Sequence, residues 1–205
     1  MSMRGTPFYF NGDELGMSNI KFDDIKDYRD IATVNAYKSA VAKGESLKAF
    51  IDKQKFISRD NTRTPFQWDN SKNAGFTTGS PWIKVNPNFK EINVATEEKN
   101  SASELSYFKK MVALRKSEPV LVYGDYQVFD IENPDVYCYT RSKGAEKMLV
   151  LLNFSTKSFS YIRDKSLNTY SVKTLINNYK ETENIIENKI NLKPLQSIVF
   201  KLNQP

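Results

Sequence analysis

The stretch GTPFYFNGDELG, residues 5–16, decides the fold class that the sequence predicts. Its first part, Gly5 to Phe10, is a nearly continuous apolar and aromatic run without the alternation of a half-exposed strand. Such a run is typical of a strand buried on both faces, as in a parallel sheet. The sequence therefore predicts a buried strand over residues 5–10, and we expect its parallel partners to lie outside these 205 residues.

Helical patterns follow the predicted strand. Residues 22–41 and residues 46–57 each carry apolar side chains on one side, which predicts two amphipathic helices. The inward positions are Ile25, Tyr28, Ile31, Val34 and Tyr37 in the first helix and Leu47, Phe50, Ile51 and Phe56 in the second. Ser101 and Glu104 have the S-x-x-E spacing of a capping box and predict the start of a third helix, which Pro119 ends.

Short strand patterns separated by turn residues follow Pro119. The apolar runs cover residues 122–131, 135–142, 147–155, 158–163, 170–176 and 196–202, with turn signals at 133–135, 143–146 and 191–194. Several short strands at this spacing predict an antiparallel β-sandwich. The predicted fold class is therefore α/β plus all-β, with one domain over residues 1–118 and a second over residues 119–205. Cys138 alternates with tyrosines, so we expect a small buried hydrophobic residue rather than a reactive thiol.

Composition excludes several classes of protein. The 30 basic and 24 acidic residues are interspersed, so the net charge of +6 indicates a mildly basic surface and no nucleic-acid interface. No run of about 18 apolar residues and no signal peptide is found, so we expect no membrane association. The single cysteine fits a reducing, cytoplasmic compartment. The absence of histidine excludes a histidine-dependent triad and most zinc sites within the chain, and no cofactor or metal motif is found.

The stretch SRDNTRTPFQW, residues 58–68, is too polar for a core and too aromatic for a linker. It opens an irregular segment that continues to about residue 100. Long irregular segments are uncommon and are often functional, so we expect an ordered loop near a ligand. No obvious pair of catalytic acids accompanies it. Asp13 and Glu14 are adjacent and point to opposite faces, so we expect them to brace their loop rather than to flank one bond.

Several stretches together resemble one enzyme family. GTPFYFNGDELGM, DYRD, SRDNTRTPFQWD, NAGFTTGSPWIKVNPNFKEINV, YFKKMVALRK and YGDYQVFD are similar, in order, to the oligo-1,6-glucosidase and dextran glucosidase group of glycoside hydrolase family 13, the α-amylase superfamily. The resemblance covers residues 4–155. It implies that the chain comprises the eighth strand of a (β/α)₈ barrel, the last β/α unit with a long active-site loop, and a C-terminal antiparallel β-sandwich.

The resemblance also implies a function. Family members hydrolyse terminal α-linked glucose with retention of configuration, and their nucleophilic Asp, acid/base Glu and stabilising Asp follow earlier barrel strands. We therefore expect the intact protein to be an α-glucosidase acting on oligosaccharides, with α-1,6 linkages as the first expectation and α-1,4 linkages as the alternative. The chain alone is expected to be inactive and to contain no catalytic residue.

The stretch 58–68 contains four candidate substrate contacts, and the resemblance assigns a role to one of them, Arg59. Arg59, in the SRD triplet, is expected to donate to the terminal glucose in subsite −1, because a guanidinium can donate to two oxygens at once. The alternative for Arg59 is an ion pair to Asp60, to Asp69 or to a carboxylate of the barrel. Arg63 has the weaker expectation, with an ion pair to a carboxylate as the alternative. Phe66 and Trp68 are candidate pocket walls, with burial against the barrel as the alternative.

Three other functions stay open at the level of the sequence. One is a stand-alone carbohydrate-binding module, another is a structural partner subunit that completes a barrel supplied by a second chain, and the third is a trehalose-6-phosphate hydrolase. The expected partners are an oligosaccharide and the missing barrel portion. Without that portion, we expect residues 1–60 to be disordered or to associate with another chain, including a copy of the same chain.

Overall fold

The computed structural model describes residues 1–180 and 185–204. The chain divides into two compact units. We call residues Met1–Pro7 with Tyr107–Pro205 the sandwich unit and residues Phe8–Ser106 the loop unit, and each is described by itself. The predicted domains, 1–118 and 119–205, stay a prediction. In the described part of the chain, no helix is long and apolar enough to span a membrane.

The loop unit consists of short helices and irregular segments. Its α-helices are α1 (Ile31–Ala42), α2 (Leu47–Ile57) and α3 (Val94–Glu97), and helix α4 (Glu104–Ser117) begins at its end. Two 3₁₀ helices, Asp13–Leu15 and Ile25–Asp27, precede α1, and three lie between α2 and α3: Arg59–Thr62, Lys72–Gly75 and Pro87–Lys90. Two small apolar clusters stabilise the unit; their buried members are Leu15, Phe66 and Leu105 in one and Phe22, Tyr28 and Ile83 in the other.

The predicted start of the first helix is wrong. The Asp30 carboxylate accepts a hydrogen bond from the Thr33 amide at 3.0 Å and caps α1, so the helix begins at Ile31 and not at residue 22. Ile31 is 68% exposed although the pattern placed it inward. Helix α2 follows its prediction, and Ser46 caps it, but Phe56 is 70% exposed. The third predicted helix begins at Glu104, where the Ser103 hydroxyl accepts from the Ser106 amide.

The predicted strand over residues 5–10 does not form. No residue of this segment is in a strand, Gly5 has a left-handed φ of 100°, and Phe8 is 91% exposed. A strand needs a neighbour that completes its ladder of backbone hydrogen bonds, and none of the strands in residues 1–180 and 185–204 pairs with this segment. The apolar run therefore leaves its aromatic side chains in solvent.

The sandwich unit begins with a helical layer and continues as strands. Helix α5 (Pro119–Tyr123) follows α4 directly, with Pro119 at its first turn, where the missing amide costs no hydrogen bond. The strands are β1 (Asp125–Phe129), β2 (Val136–Lys143), β3 (Glu146–Asn153), β4 (Phe159–Ile162), β5 (Ser171–Asn177), β6 (Ile185–Ile186), β7 (Lys189–Leu192) and β8 (Ser197–Asn203).

Two antiparallel sheets form the predicted sandwich. The first has the strand order β1-β2-β3-β8-β5, and the second has the order β4-β7-β6. All six predicted strands are present. Strand β7 lies where residues 191–194 were predicted to turn, because Ile190 and Leu192 alternate inward and reach full burial.

The five-stranded sheet is buried on both faces. One face packs against the smaller sheet; its buried core includes Cys138, Leu149, Leu151, Ile198 and Phe200. The other face packs with residues of α4 and α5; its buried core includes Tyr139, Met148, Val150, Met111 and Leu121. Cys138 is fully buried as predicted, and burial raises the pKa of its thiol to about 12, so the thiolate is not the resting form.

Candidate functional site

The 3₁₀ helix Arg59–Thr62 determines which side chains at the start of the stretch 58–68 are buried and which are exposed. The Ser58 hydroxyl accepts a hydrogen bond from the Asp60 amide at 3.3 Å and starts the turn. With about three residues per turn, side chains at i and i+3 point the same way and the residue between them points elsewhere. Asp60 is accordingly fully buried, whereas Arg59 is exposed.

Asp60 ties this turn to the start of α1. Its Oδ2 atom accepts hydrogen bonds from the backbone amides of Arg29 at 2.6 Å and Asp30 at 2.8 Å. Amide donors to a charged carboxylate give strong hydrogen bonds. Two segments about thirty residues apart in the chain are therefore held together by one buried side chain.

Arg63 lies close to the carboxylates of both Asp30 and Asp60. Its Nη1 atom lies 3.4 Å from Asp30 Oδ1 and 3.8 Å from Asp60 Oδ1. The Arg63 side chain is 42% exposed, so part of the guanidinium still faces solvent. The geometry matches the alternative interpretation of Arg63 as an ion-pairing residue, and its role as a substrate contact stays a prediction.

The charge of Asp30 is favoured by its surroundings. Burial acts to raise the pKa of this carboxyl, but hydrogen bonds from the Thr33 amide and hydroxyl, together with the nearby charges of Arg59 and Arg63, outweigh burial and lower it. Asp30 is therefore a carboxylate at neutral pH, and its negative charge lies close to both arginines of the stretch.

Arg59 differs from Arg63 in making no direct contact with a carboxylate of the described residues, although its charge is near that of Asp30. Within residues 1–180 and 185–204, its guanidinium makes no hydrogen bond and no ion pair. Its backbone is fixed, because the Arg59 carbonyl accepts from the Thr62 hydroxyl at 2.9 Å. A guanidinium without a hydrogen-bond partner, on a turn of fixed backbone, can donate to hydroxyl or phosphate oxygens of a ligand.

The two aromatic candidates have different surroundings. Phe66 is buried in the apolar cluster with Leu15 and Leu105, and Trp68 is 52% exposed. Their rings meet edge to face, with centroids 4.7 Å apart at 65°. Phe66 therefore supports the position of Trp68, and the indole offers an open apolar face.

A tight loop after Trp68 was not anticipated from the sequence. The amides of Trp68 and Asp69 both donate to the Ala74 carbonyl, at 2.9 and 3.2 Å, and Asn73, Ala74 and Gly75 all have left-handed φ angles. A Cβ atom on Gly75 would lie 2.7 Å from Asp69 Oδ2, and the φ of 67° at this position favours glycine. The Asn-Ala-Gly sequence at residues 73–75, which follows an Asp-x-Ser turn at residues 69–71, could have predicted this loop.

Other polar residues that the sequence singled out have structural roles. Asp13 accepts from the Phe10 amide at 3.3 Å and Glu14 accepts from the Gly12 amide at 2.9 Å, which is the bracing role expected for them. Arg29, from the DYRD stretch, donates to the carbonyls of Lys26 and Trp82. Among the described residues, no group of three His, Cys, Asp or Glu side chains is arranged to hold a metal ion.

Two family profiles match the chain. The profile of the α-amylase catalytic domain matches residues 1–124, and the profile of the C-terminal domain of the α-amylase SusG matches residues 136–199. The chain is 43% identical over 201 residues to an oligo-1,6-glucosidase of Bacillus cereus and 42% identical over 204 residues to one of Parageobacillus thermoglucosidasius. It is 35% identical to a trehalose-6-phosphate hydrolase of Bacillus subtilis.

Solved structures agree with these relatives. The trehalose-6-phosphate hydrolase of Bacillus licheniformis superposes with a TM-score of 0.93 at 38% identity and covers 99% of this chain. An isomaltulose synthase of Klebsiella superposes with a TM-score of 0.91 at 38% identity and covers 98%. The chain spans 36% of the length of the Bacillus cereus relative and matches its C-terminal part. Because the catalytic-domain profile covers more than half of the chain, the chain belongs to the α-amylase family of glycoside hydrolases.

Proposed function

We propose that this chain supplies the arginine-bearing side of a glucose-binding site in an α-1,6-glucosidase. The observation that carries the proposal is the unpaired guanidinium of Arg59 on a turn that the fully buried Asp60 anchors. Relatives at 42–43% identity that are oligo-1,6-glucosidases support the substrate class.

The chemistry of an exo-acting glucosidase calls for such a group. The non-reducing end of an oligosaccharide presents vicinal hydroxyls, and a planar guanidinium can donate to two oxygens at once. Because the turn fixes the backbone of Arg59, less backbone entropy is lost when the substrate binds than from a mobile loop. The half-exposed Trp68 offers an apolar face of the kind on which a sugar ring packs.

We assign the bond-breaking carboxylates to another part of the longer protein. Retaining glycosidases use two carboxyl groups about 5–5.5 Å apart as nucleophile and acid/base. The acids of the loop unit discussed above are already occupied: Asp13 and Glu14 bind backbone amides, and Asp30 and Asp60 bind amides and Arg63. The chain alone is therefore expected not to hydrolyse glucosides, and its partner in the active protein is the remainder of the barrel.

A trehalose-6-phosphate hydrolase is the second candidate. The supporting observation is the TM-score of 0.93 with the enzyme of Bacillus licheniformis. The lower identity to the Bacillus subtilis enzyme, 35% against 43%, ranks it second. A binding module or a structural subunit would keep the same fold without turnover. For every candidate we propose a cytoplasmic location, which the free thiol of Cys138 supports.

The test compares Arg59→Ala with Arg63→Ala in the complete protein that contains this chain, with isomaltose as substrate. Loss of a charged hydrogen bond in the transition state costs roughly 1.5–3 kcal/mol, or about tenfold to a hundredfold in kcat/KM. We expect that loss for Arg59→Ala and a smaller loss for Arg63→Ala, accompanied by lower stability. Equal losses in both variants would assign Arg59 to scaffolding.

Two controls accompany this comparison. The chain alone, assayed on p-nitrophenyl α-glucoside, is expected to release no p-nitrophenol, and turnover would show that the catalytic acids lie within it. The complete protein, assayed on trehalose 6-phosphate, is expected to be slower than on isomaltose. The reverse order would place the second candidate first.

A further inference from the structure

The sandwich unit contains a cavity that the proposed function does not use. Its volume is about 240 Å³, and it lies at one end of the five-stranded sheet, between the β1–β2 turn and the residue that follows β3. Its principal walls are Ile131, Asp130, Asn133, Asp135, Tyr137 and Phe154. Pockets that enclose drug-sized ligands measure roughly 300–1,000 Å³, so this cavity suits a single small ring.

The cavity is built on a fixed frame. The Phe154 amide donates to the Asp135 carbonyl at 2.8 Å, which joins the end of β3 to the start of β2. Asn133 Oδ1 accepts from the amides of Asp135 and Val136, at 3.0 and 2.9 Å, and Asn133 Nδ2 donates to Asp130 Oδ2 at 2.7 Å. Hydrogen bonds within the turn therefore fix the positions of both aspartates.

Two apolar side chains at the rim of the cavity are exposed to solvent. Phe154 is 66% exposed and Ile131 is 75% exposed. Tyr137 is half-buried; its hydroxyl is hydrogen-bonded to that of Tyr126, and its ring packs against Tyr139 with centroids 5.3 Å apart. Aromatic walls around a concave site favour ligands with flat apolar faces.

The polar atoms of the cavity are mainly acceptors. The half-buried carboxylate of Asp135 has no partner among the described residues, and Asp130 uses one oxygen for Asn133. No lysine or arginine is among the residues that line the cavity. Carboxylates without cations favour a ligand that donates hydrogen bonds and disfavour phosphorylated or other anionic molecules.

We propose that this cavity is a second, non-catalytic binding site for one neutral glucosyl unit of an oligosaccharide. The pyranose ring packs its C–H face on Phe154, and its hydroxyls donate to Asp135 and Asp130. The identity of the sugar as glucose rests on the proposed function, whereas the cavity itself lies wholly within the sandwich unit. Such a site would hold an oligosaccharide whose terminal glucose the enzyme removes.

The experiment is a titration of the ¹⁵N-labelled 205-residue chain with isomaltotriose, followed by amide chemical shifts. We expect shifts that saturate at millimolar concentration and map onto residues 130–137 and 154. Phe154→Ala is expected to weaken this binding about tenfold, the effect of losing one aromatic packing surface. Asp135→Asn is expected to weaken it severalfold. Ile162→Ala, which removes an equally exposed apolar side chain elsewhere in the sandwich unit, should leave it unchanged.

Further arms separate this inference from the proposed function. Arg59→Ala should leave the shifts at residues 130–137 intact, and a kcat/KM unaffected by Arg59→Ala in the complete protein would contradict only the proposed function. Glucose 6-phosphate is expected to bind more weakly than glucose. The inference is overturned if isomaltotriose causes no shifts at residues 130–137 and 154, or if Phe154→Ala binds the sugar as the unchanged chain does. It is also overturned if the cavity takes a cation in place of a sugar, that is, if tetramethylammonium binds there and isomaltotriose does not.

Discussion

The sandwich unit and the loop unit are stabilised in different ways. In the sandwich unit, ladders of antiparallel strands pair the backbone groups, and two apolar clusters fill both faces of the larger sheet. The loop unit has two clusters with three buried residues each. Its remaining buried side chains are largely polar: Asp30, Gln54, Asp60, Asn61, Gln67, Asn86, Asn93 and Glu97.

The difference concerns what satisfies the backbone. A strand ladder pairs amides with carbonyls whatever the side chains are, so the sequence is free to alternate apolar and polar residues. The loop unit instead pairs backbone groups with particular side chains, such as Asp60 with two amides and Gln67 with the Ile92 carbonyl. Each polar residue there is harder to replace, and the unpaired Arg59 stands out for that reason.

One residue reverses this pattern and gives the largest expected effect. Arg141 is fully buried in the sandwich unit, and its guanidinium donates to the carbonyls of Ser2, Leu121, Gly124 and Asp125. Burial lowers the pKa of the guanidinium. Arg141→Ala leaves these carbonyls without their donor, so we expect a loss of about 3–5 kcal/mol in the free energy of unfolding.

Urea unfolding followed by hydrogen exchange of peptides from each unit measures this effect. The matched control is Lys173→Ala, which removes an exposed cation from β5 and should change stability little. We expect faster exchange across the strands of the sandwich unit. An Arg141→Ala chain as stable as the control would show that water replaces the guanidinium and that the apolar clusters alone stabilise the unit.

The second prediction tests the polar anchor of the loop unit. Asp60→Asn keeps the size of the side chain but removes the charge that accepts from the amides of Arg29 and Asp30 and attracts Arg63. We expect a loss of about 2 kcal/mol in local stability, the difference between charged and neutral hydrogen bonds at two donors. Hydrogen exchange of peptides covering residues 26–63 reports it.

Asp52→Asn is the control for this prediction. It makes the same chemical change on the surface of α2, where the carboxylate pairs with Lys48 and Lys55 in solvent. Surface ion pairs contribute little to stability, so exchange should be nearly unchanged. Equal effects at both positions would mean that burial of Asp60 adds nothing, and the contrast between the two units would lose its main support.

The same contrast explains which parts of the fold the sequence predicts. All six strands expected after Pro119 are present, because alternation of buried and exposed residues is a local pattern that the core enforces. Strand β7 was missed because its last two residues, Asn191 and Leu192, begin the Asn-Leu-Lys-Pro stretch, which is typical of a turn. The strand expected over residues 5–10 is absent because pairing depends on residues far away in sequence, which a single-segment pattern does not contain.

The candidate site was predictable in part for a similar reason. Residue types in the stretch 58–68 pointed to a ligand, and the 3₁₀ turn then separated an exposed Arg59 from an ion-paired Arg63. The capping role of Asp30 and the left-handed loop before Gly75 depend on local polar hydrogen bonds, from the Thr33 amide to Asp30 and from the Trp68 and Asp69 amides to the Ala74 carbonyl. The pattern of apolar residues in 22–41 does not contain information on such bonds. The predicted first helix therefore began nine residues before the observed start at Ile31.

The smallest expected effect concerns pH and Asp30. Its pKa is lowered in the folded chain, whereas an unfolded aspartate has a pKa of about 3.9. A carboxyl with a depressed folded pKa contributes stability that is fully present above its unfolded pKa and is lost as pH falls through its folded pKa. We therefore expect Asp30→Asn to be less stable than the unchanged chain at pH 7, by less than the Asp60→Asn effect, and to approach it at acidic pH.

The comparison between the two chains isolates Asp30 from other acids. Burial raises the pKa of Glu97, so this carboxyl has the opposite pH dependence and would obscure a single melting curve. Glu97 is present in both chains, and its contribution cancels in their difference. Asparagine also caps helices well, so α1 should persist. Hydrogen exchange of α1 peptides at several pH values gives the measurement, and a stability difference that stays constant down to pH values below the folded pKa would show that Thr33 and the arginines do not favour the charge of Asp30.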